Sequence, residues 1–523
     1  MKRIIGVILL LFLLNDSSFA QVKYNKTQKK VYSEAVTYYD AAEYFTAYEK
    51  FKDIYKIDSL NLDLNYYMGA CLFNIRGREL ESKPYIDFAV KNNNFEALFY
   101  QARTYHFLER FDEALTDYQN YLSKEGIKRT PEEVSNYIKI SQRAKEMVKK
   151  PINVNISNVG TNINTSSQDF GPLVTSDEST MFFTSRRQGS TGNLKDPFDQ
   201  YFEDVYVSQK ADGRWGLSNN IGVPINSDTH DAVAGISANG NVLIIYRTNK
   251  ELTGGDLYTC EFKDGNWQQP VLISKAVNSG NYEPSACLTN DENMIYFSST
   301  RPGGFGGKDL YKCSKLPNGE WGIAQNLGPT INTELDEDAP FITADGKSLY
   351  FASTGHTTMG GFDIFKTDVD TVGVWNLPEN LGFPINSVED DIYFSIVASG
   401  KVAYYSSKKG IGFGGQDIYK IEFLSDEDLQ TIVKGKVFDE LTKEPVKAKI
   451  TLIDQMSEKV AGIYNSNRKN GNYVMVVESL TSYQMIVEAP GFETKIESFE
   501  IEDTGKRLEI NLKDVFLKQK KGK

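Results

Sequence analysis

The feature that most constrains the fold is a unit that recurs between residues 152 and 423. Each unit opens on a short string such as NIGVPIN or NLGFPIN and continues with a tight-turn pair, such as Asn239-Gly240, between two apolar runs. A tight turn between apolar runs is typical of a β-hairpin. The opening strings end at Asn164, Asn226, Asn278, Asn332 and Asn386, and the string at Asn278, LISKAVN, matches least well. The chain therefore repeats one β-rich unit five times.

Two further positions mark each unit. An Asp-aliphatic-aromatic triplet follows each hairpin, at Asp204, Asp256, Asp309, Asp363 and Asp417. A tryptophan that starts a fourth strand follows four of these triplets, at Trp215, Trp267, Trp321 and Trp375. A unit of about 53 residues with four strands has the size of a β-propeller blade. We interpret these aspartates and tryptophans as structural residues that define the blades.

The number of strands also predicts how the ring closes. The fifth unit lacks its fourth strand after Phe423, whereas a spare strand, residues 152–158, stands before the first unit. We expect this spare strand to become the outermost strand beside the one that contains Asp417, which would close a five-bladed β-propeller over residues 152–423.

An acidic residue follows each opening asparagine after five positions, at Asp169, Asp231, Glu283, Glu337 and Asp391. Each stands just before the apolar run predicted as the innermost strand, so the five should circle one mouth of the central channel. Either each carboxylate accepts hydrogen bonds from backbone N–H groups of a neighbouring turn, or the ring binds a cation such as calcium, because five like charges repel unless they are compensated. Repetition in every blade favours the structural interpretation, and we expect no cofactor.

Residues 24–150 carry a second repeat, of helical type. Ala35, Gly69 and Ala102 lie 34 and 33 residues apart in apolar helical runs, and Ala47 and Ala114 follow twelve residues after the first and the last of them. Small residues at this spacing let paired helices approach closely. The pattern resembles the tetratricopeptide repeat (TPR). The resemblance implies an array whose concave face binds a partner protein.

The pattern changes again over residues 431–515. Short alternating runs such as VKGKVFD and GNYVMVV, separated by turns, predict a β-sandwich. The order of Gly471, Tyr473 and the string APGF at 489–492 resembles the carboxypeptidase regulatory-like domain, which implies a structural module without catalytic residues. A basic tail, residues 516–523, follows and is interpreted as solvated.

The N-terminus has the order of a secretory signal. A charged start at residues 2–3 precedes an apolar run over 4–14, and the small residues Ser18 and Ala20 precede a cleavage point before Gln21. We interpret residues 1–20 as a signal peptide. The apolar run is too short to span a bilayer, and we expect no transmembrane segment in the mature chain. The predicted location is the periplasm, in association with the outer membrane.

Charge and composition exclude several classes of function. The formal net charge of −12 argues against binding to nucleic acid or to an anionic membrane. The chain has three histidines and no nucleophile motif such as GxSxG, so we predict that it is not an enzyme. The four cysteines, Cys71, Cys260, Cys287 and Cys313, include no CxxC pair, and we expect them to be buried without a disulfide.

The repeated units resemble the WD40-like PD40 repeats of periplasmic propellers, most clearly in the segment TADGKSLYFAS at 343–353. A multidomain chain of TPR repeats, PD40 propeller and regulatory-like sandwich is similar to a class of Gram-negative envelope proteins that includes a component of type IX secretion. Such proteins usually end in an OmpA-like domain that grips peptidoglycan. This sequence ends at Lys523 without one, so we do not expect peptidoglycan binding.

The resemblance implies a non-catalytic scaffold that binds other envelope proteins and serves secretion or gliding machinery. A second hypothesis is a module that binds a glycan or a peptide at the propeller mouth. Aromatic side chains gathered at the mouth would favour the second hypothesis.

Overall fold

The computed structural model describes residues 22–75, 77–196, 198–409, 412–425, 431–478, 481–501 and 509–520. The predicted signal peptide, residues 1–20, and the last three residues of the predicted basic tail lie outside the described residues. The chain divides into two compact units, residues 1–139 and 140–523. Among the described residues, no helix combines the length and the apolar character needed to cross a membrane.

The first unit is built from helices. Asn25 caps the first of them, because its side chain accepts a hydrogen bond from Gln28 N at 2.9 Å while the Gln28 side chain accepts one from Asn25 N at 2.8 Å. The described helices are α1 (Lys26–Asp40), α2 (Tyr44–Tyr55), α3 (Leu62–Asn74), α4 (Lys83–Lys91), α5 (Ala97–Phe107), α6 (Phe111–Leu122) and α7 (Pro131–Met147), with a short 3-10 helix at Glu79–Ser82.

Small residues lie where these helices touch. Each helix from α1 to α6 contacts the next one along the chain. Ala35, Ala47, Ala102 and Ala114 are fully buried. At Gly69 an added Cβ would lie 2.5 Å from the side chain of Ile86, which is too close for any larger residue. The predicted spacing of small residues therefore marks the contacts between helices.

The second unit is rich in β-strands, which begin with β1 (Val154–Asn158). The first antiparallel sheet contains β2 (Asp169–Val174), β3 (Thr180–Ser185), β4 (Asp204–Ala211), β5 (Arg214–Trp215) and β6 (Asn219–Asn220). The second sheet contains β7 (Asp231–Ile236), β8 (Val242–Thr248), β9 (Gly255–Lys263), β10 (Asn266–Trp267) and β11 (Val271–Leu272).

Three more antiparallel sheets follow in chain order. The third contains β12 (Ala286–Leu288), β13 (Met294–Ser299), β14 (Asp309–Ser314) and β15 (Gln325–Asn326). The fourth contains β16 (Glu337–Ile342), β17 (Ser348–Ser353), β18 (Asp363–Asp368) and β19 (Glu379–Asn380). The fifth contains β20 (Ile392–Ile396), β21 (Val402–Ser407) and β22 (Asp417–Phe423), together with β1.

The first strand of each sheet faces a common centre. β2 contacts β7, β7 contacts β12, β12 contacts β16, β16 contacts β20, and β20 contacts β2 again. Within each sheet the later strands lie progressively outward. This closed succession of sheets is a β-propeller, and its innermost strands surround a central channel.

A strand that precedes the first sheet in the chain closes the ring. β1 pairs antiparallel with β22, so that Val154 lies opposite Phe423 and Asn158 lies opposite Tyr419. β1 is the outermost strand of this sheet, and Ile156 packs against the buried cluster that contains Ile421. The predicted pairing of the spare strand with the strand of Asp417 is therefore confirmed.

We predict that Ile156→Lys destabilises the propeller. The substitution places an ammonium group against buried Ile421, which should lower the free energy of unfolding by about 2 kcal/mol or more. Ser157→Lys, at the next position on the exposed side of β1, should change it by less than about 0.5 kcal/mol. Urea denaturation of both variants tests the prediction, and equal losses would contradict it.

The last strands form two sheets that share one core. One sheet contains β23 (Thr431–Asp439), β26 (Asn472–Val477), β29 (Glu509–Asn511) and β30 (Val515–Leu517). The other contains β24 (Lys449–Asp454), β25 (Lys459–Asn465), β27 (Ser482–Glu488) and β28 (Lys495–Glu500). Val437 and Met475 from the first sheet and Ile450 and Met485 from the second are all buried in this core. We call the two sheets the C-terminal sheets.

The four cysteines are buried, and their thiols are free. Burial raises the pKa of Cys71, Cys260 and Cys287 to about 12, and that of Cys313 to about 11. The thiolate is the reactive form, so these groups should react slowly in the folded protein.

We predict that a thiol reagent such as DTNB modifies the native protein slowly at pH 8. After unfolding in guanidinium without a reductant, all four thiols should react within seconds to minutes. Rapid modification before unfolding, or fewer than four reactive thiols after it, would contradict the buried, unpaired state.

Candidate functional site

Each opening asparagine fastens its string to the sheet before it. Asn226 Oδ1 accepts a hydrogen bond from Val205 N at 2.9 Å, and Asn226 Nδ2 donates one to Val205 O at 3.0 Å. The same two bonds occur at the other four asparagines, in the pairs Asn164–Ile418, Asn278–Leu257, Asn332–Leu310 and Asn386–Ile364. A short amide side chain carries a donor and an acceptor side by side, which explains why asparagine recurs here.

The five predicted acids hold the turns that precede the innermost strands. All five are fully buried. Each side chain accepts a hydrogen bond from the backbone N–H four residues earlier, at 2.6–3.1 Å, in the pairs Thr165–Asp169, Ser227–Asp231, Ser279–Glu283, Thr333–Glu337 and Ser387–Asp391. The predicted bonding of these carboxylates to backbone N–H groups is confirmed. In the described part of the chain, no three His, Cys, Asp or Glu side chains gather closely enough to hold a metal ion.

A cationic or imidazole side chain, which the sequence analysis missed, accompanies each acid. Arg187 Nη2 contacts Asp169 Oδ1 at 2.5 Å and also donates to Ile163 O. Arg247 contacts Asp231 in the same way. The residues at this place in successive sheets, all near the end of the second strand, are Arg187, Arg247, Arg301, His356 and Lys409. Each donates to a backbone carbonyl of the opening string, so the side chain clamps that string to its sheet.

We predict that Asp169→Asn destabilises the protein more than Glu337→Gln does. Asp169→Asn leaves the guanidinium of Arg187 without its carboxylate, which should cost about 3 kcal/mol. The residue clamped beside Glu337 is His356, and burial lowers the pKa of that imidazole. Glu337→Gln therefore strands no cation. Urea denaturation of the two variants measures the difference, and a larger loss in Glu337→Gln would contradict the role of the cations.

The stability should also depend on pH through Glu337. Burial raises the pKa of Glu337 from 4.5 to about 7. Because the folded state then binds the proton more tightly than the unfolded state, the free energy of unfolding should fall as pH rises between these two values. The loss from pH 5 to pH 8 should be smaller in Glu337→Gln than in the natural protein. A constant difference between the two proteins over this range would contradict the raised pKa.

Four of the triplet aspartates clasp the loop that precedes them. Asp309 Oδ2 accepts hydrogen bonds from Phe305 N at 2.6 Å and from Asn326 Nδ2 at 2.7 Å. Equivalent bonds from the first asparagine of the opening string reach Asp204, Asp363 and Asp417. Asp256 departs from this pattern, because the weak string LISKAVN has Leu272 where the others have asparagine.

The marker tryptophans pack against the preceding sheet. Trp215 Nε1 donates to the hydroxyl of Tyr404 in the fifth sheet at 3.2 Å. The Trp267 ring lies 5.7 Å from the Phe182 ring of the first sheet, edge to face. The Trp375 ring meets the Tyr296 ring of the third sheet at 6.2 Å. These rings fill the space between adjacent sheets of the propeller.

In four of the five sheets, the residue before the triplet aspartate is bonded to the start of the next innermost strand. Asp231 N donates to Glu203 O at 2.8 Å, and the same bond joins the next acid to Lys308, Phe362 and Gln416. We call the end of the channel at which the innermost strands begin the mouth. The residues at this place in the five sheets are Glu203, Gly255, Lys308, Phe362 and Gln416. Neighbouring structural positions repeat one residue type, whereas these five all differ.

The C-terminal sheets cover the other end of the channel, where the hairpins turn. Asn241 Nδ2 donates to Ser466 O at 2.9 Å, and Asn472 Nδ2 donates to Asp177 Oδ2 at 2.8 Å. Ala398 is buried with Ile432 and Val474. A cavity lined by the innermost strands has a volume of about 40 Å³, room for about three water molecules. A ligand larger than a few water molecules does not fit in this cavity.

An acidic and aromatic cluster lies on one side of the mouth. The rings of Tyr246 and Tyr282 meet at 89° with their centroids 5.6 Å apart. Tyr246 occupies space that Gly255 leaves open, since an added Cβ there would lie 2.7 Å from its ring. Burial raises the pKa of Glu203 and of both tyrosines. Negative charges raise the pKa of the tyrosines further, Asp256 before Glu203 at Tyr246 and Asp338 before Glu203 at Tyr282.

The next position of the mouth carries a compensated charge. Lys308 Nζ contacts Asp338 Oδ2 at 2.5 Å, and the hydroxyls of Ser285 and Ser298 donate to Asp338 Oδ1 at 2.5 and 2.8 Å. Burial opposes the charged form of Asp338, but Lys308 and the two hydroxyls outweigh it, so its pKa is lowered. This pair is fully used within the protein.

No protein-family model and no curated protein matches the chain. Among solved structures, a putative TolB from Agrobacterium tumefaciens is 14% identical, and the match covers 62% of this chain and 98% of that one with a TM-score of 0.31. An α-L-arabinofuranosidase from Lactobacillus brevis is 9% identical over 52% and 94% of the two chains, with a TM-score of 0.34. An endo-arabinase from Bacteroides thetaiotaomicron is 13% identical over 53% and 98%, with a TM-score of 0.33.

The prediction that the chain is not an enzyme is contradicted by these comparisons. Besides the α-L-arabinofuranosidase and the endo-arabinase, they include a thermostable family-43 glycoside hydrolase. It is 14% identical over 51% of this chain and 92% of that one, with a TM-score of 0.36. The error lay in the reasoning from motifs. In a propeller, side chains from separate sheets meet at one end of the channel, so no compact sequence motif has to join the groups of a site.

Proposed function

We propose that this chain is a periplasmic binding protein that holds a partner polypeptide at the mouth of its propeller. One observation carries the proposal: the C-terminal sheets cover the hairpin end of the channel, while five equivalent positions at the mouth carry five different residue types, one of them glycine. Structural positions repeat because each sheet needs the same bonds. At a position that differs in every sheet, the side chain is not needed for those bonds, so it can take part in recognition.

The proposal includes a finer domain layout. Residues 24–150 are TPR-like repeats that offer a second protein-binding face, and residues 152–423 are a five-bladed PD40-like propeller. Residues 431–515 are a sandwich of the carboxypeptidase regulatory-like kind. The consecutive helix packing, the closed ring of sheets and the shared core of the C-terminal sheets support this layout.

The cellular assignment is part of the same proposal. Envelope proteins are the partners it implies, near the outer membrane, and type IX secretion or gliding machinery is the process that the order of domains suggests. Support for this step comes from the sequence resemblance.

Site-specific photo-crosslinking in the native envelope tests the proposed function. A photoreactive residue at position 282, where Tyr282 is 46% exposed at the mouth, should capture a defined protein. The matched control is position 217, where Leu217 is 71% exposed near the outer edge of the first sheet. The proposal expects a product at 282 that is missing at 217. The same products at both positions, or none at 282, would overturn it.

Binding of a glycan is the second candidate, and exposed aromatic rings favour it. Phe305 and Phe413 lie in the loops at the mouth end and are 49% and 48% exposed. Tyr282 is exposed to a similar degree, 46%. Aromatic rings of this kind can stack on sugar faces. A glycan array probed with the labelled protein would support this candidate if binding is lost in Phe305→Ala and Phe413→Ala, and would remove it if no glycan binds.

A further inference from the structure

We infer that Arg103, in the first unit, binds a carboxylate group of a partner polypeptide. The inference rests on the proposed second protein-binding face of residues 24–150 and names the chemistry of the partner there. Three observations carry it: the guanidinium has no acid of its own, two aromatic rings hold it, and a hydrogen-bonded network fixes its neighbours.

Arg103 differs from the other described arginines of the first unit. Each of the others is paired with a glutamate three or four residues later, in the pairs Arg78–Glu81, Arg110–Glu113 and Arg129–Glu133. The residues at these distances after Arg103 are His106 and Phe107, and neither is acidic. Among the described residues, no carboxylate forms an ion pair with Arg103. Its charge is therefore left for a ligand to compensate.

Two aromatic rings hold the guanidinium of Arg103. Its Cζ lies 4.4 Å from the ring centroid of Phe73, on α3, and 5.2 Å from that of Tyr137, on α7. Phe73 is buried, whereas Arg103 is partly exposed. Contact with ring faces restricts the side chain but leaves the N–H groups at its edge able to donate. The rings thus hold the charge in place before a partner binds, which lowers the entropic cost of binding.

A network of hydrogen bonds fixes the groups beside Arg103. Arg103 Nη1 donates to Asn74 Oδ1 at 3.4 Å. Asn74 Nδ2 donates to Ala70 O at 2.8 Å and to the Tyr100 hydroxyl at 3.2 Å, so the amide is held in one orientation. Arg129 Nη2 donates to the same hydroxyl at 3.1 Å. A guanidinium has five N–H donors, and the bond to Asn74 uses only one of those of Arg103.

The free donors of Arg103 suit a carboxylate. The planar edge of a guanidinium matches a carboxylate, which accepts two parallel N–H bonds from it. The carboxylate is also the anionic group of an unmodified polypeptide, on Asp and Glu side chains and at the C-terminus. An unpaired guanidinium favours such a group and opposes a second cation.

Four small probes test the inference on the full chain. N-acetyl-aspartate α-methylamide carries a side-chain carboxylate and N-acetyl-leucine a terminal one, and N-acetyl-asparagine methylamide and N-acetyl-leucine amide are their neutral counterparts. Titration followed by ligand-observed NMR should show at least about tenfold tighter binding of a carboxylate probe than of its counterpart. The pair that shows this preference identifies the source of the carboxylate. Equal binding within both pairs would overturn the inference.

Arginine variants locate the site. Arg103→Gln should weaken binding of the carboxylate probe at least about tenfold, and Arg103→Lys, which keeps the charge without the planar edge, should restore only part of it. Arg110→Gln is the matched control, because Arg110 also lies over a ring, 4.5 Å from that of Tyr105, but is paired with Glu113. Equal losses in Arg110→Gln and Arg103→Gln, or no loss in Arg103→Gln, would refute the assigned site.

Folding and binding are separated by two measurements. Far-UV circular dichroism of the three variants shows whether the helices remain folded. The preference of the natural protein for a carboxylate probe over its neutral counterpart needs no variant, so it tests the inference even if Arg103→Gln unfolds.

This inference and the proposed function fail in different experiments. If crosslinking at position 282 captures a partner but the carboxylate probes bind Arg103→Gln and the natural protein equally well, the mouth is a protein-binding site and the inference about Arg103 is wrong. If position 282 captures nothing while a carboxylate probe binds and depends on Arg103, the carboxylate site exists but the proposed function of the mouth is wrong.

Discussion

The propeller depends on one hydrogen-bonded junction that is repeated between sheets. The acid that starts an innermost strand holds the preceding turn through its carboxylate, and in four of the five sheets its own N–H donates to the sheet before. The opening asparagine adds two bonds to that same sheet. Each junction thus joins the outer part of one sheet to the inner strand of the next, and their succession sets the radius of the channel.

The parts of this junction that were predicted are the local ones. Asparagine and acid lie five residues apart, and the triplet aspartate sits at a constant place in the unit, so a repeat search aligns them directly. The pairing of the first strand with the last sheet was also predicted. One strand before the first unit had no partner, and the fifth unit lacked one strand. These features depend on spacing along the chain, which can be read directly from the sequence.

The side chains that clamp the opening strings were missed for a physical reason. Their task is to donate to a backbone carbonyl, and Arg187, His356 and Lys409 each do so. Side chains of different length and type therefore occupy one structural position. A search for identical letters passes over such a position, although the three-dimensional contact is the same.

The mouth escaped prediction for the opposite reason. The side chains of the residues before the triplet aspartates share no chemistry. In four sheets the main-chain carbonyl of this residue accepts a hydrogen bond, and that bond does not depend on the side chain. Their side chains are then free to differ around the ring, and a ring whose backbone is nearly fivefold acquires sides of different charge. Lys308 is paired with Asp338 within the protein, whereas burial raises the pKa of the Glu203 carboxyl group. Removing a carboxylate from water without a partner raises the free energy of its charged form, and a cation brought by a ligand lowers it again. The repeated junctions supply the rigidity that such a site needs, because they hold all five sheets before any partner arrives.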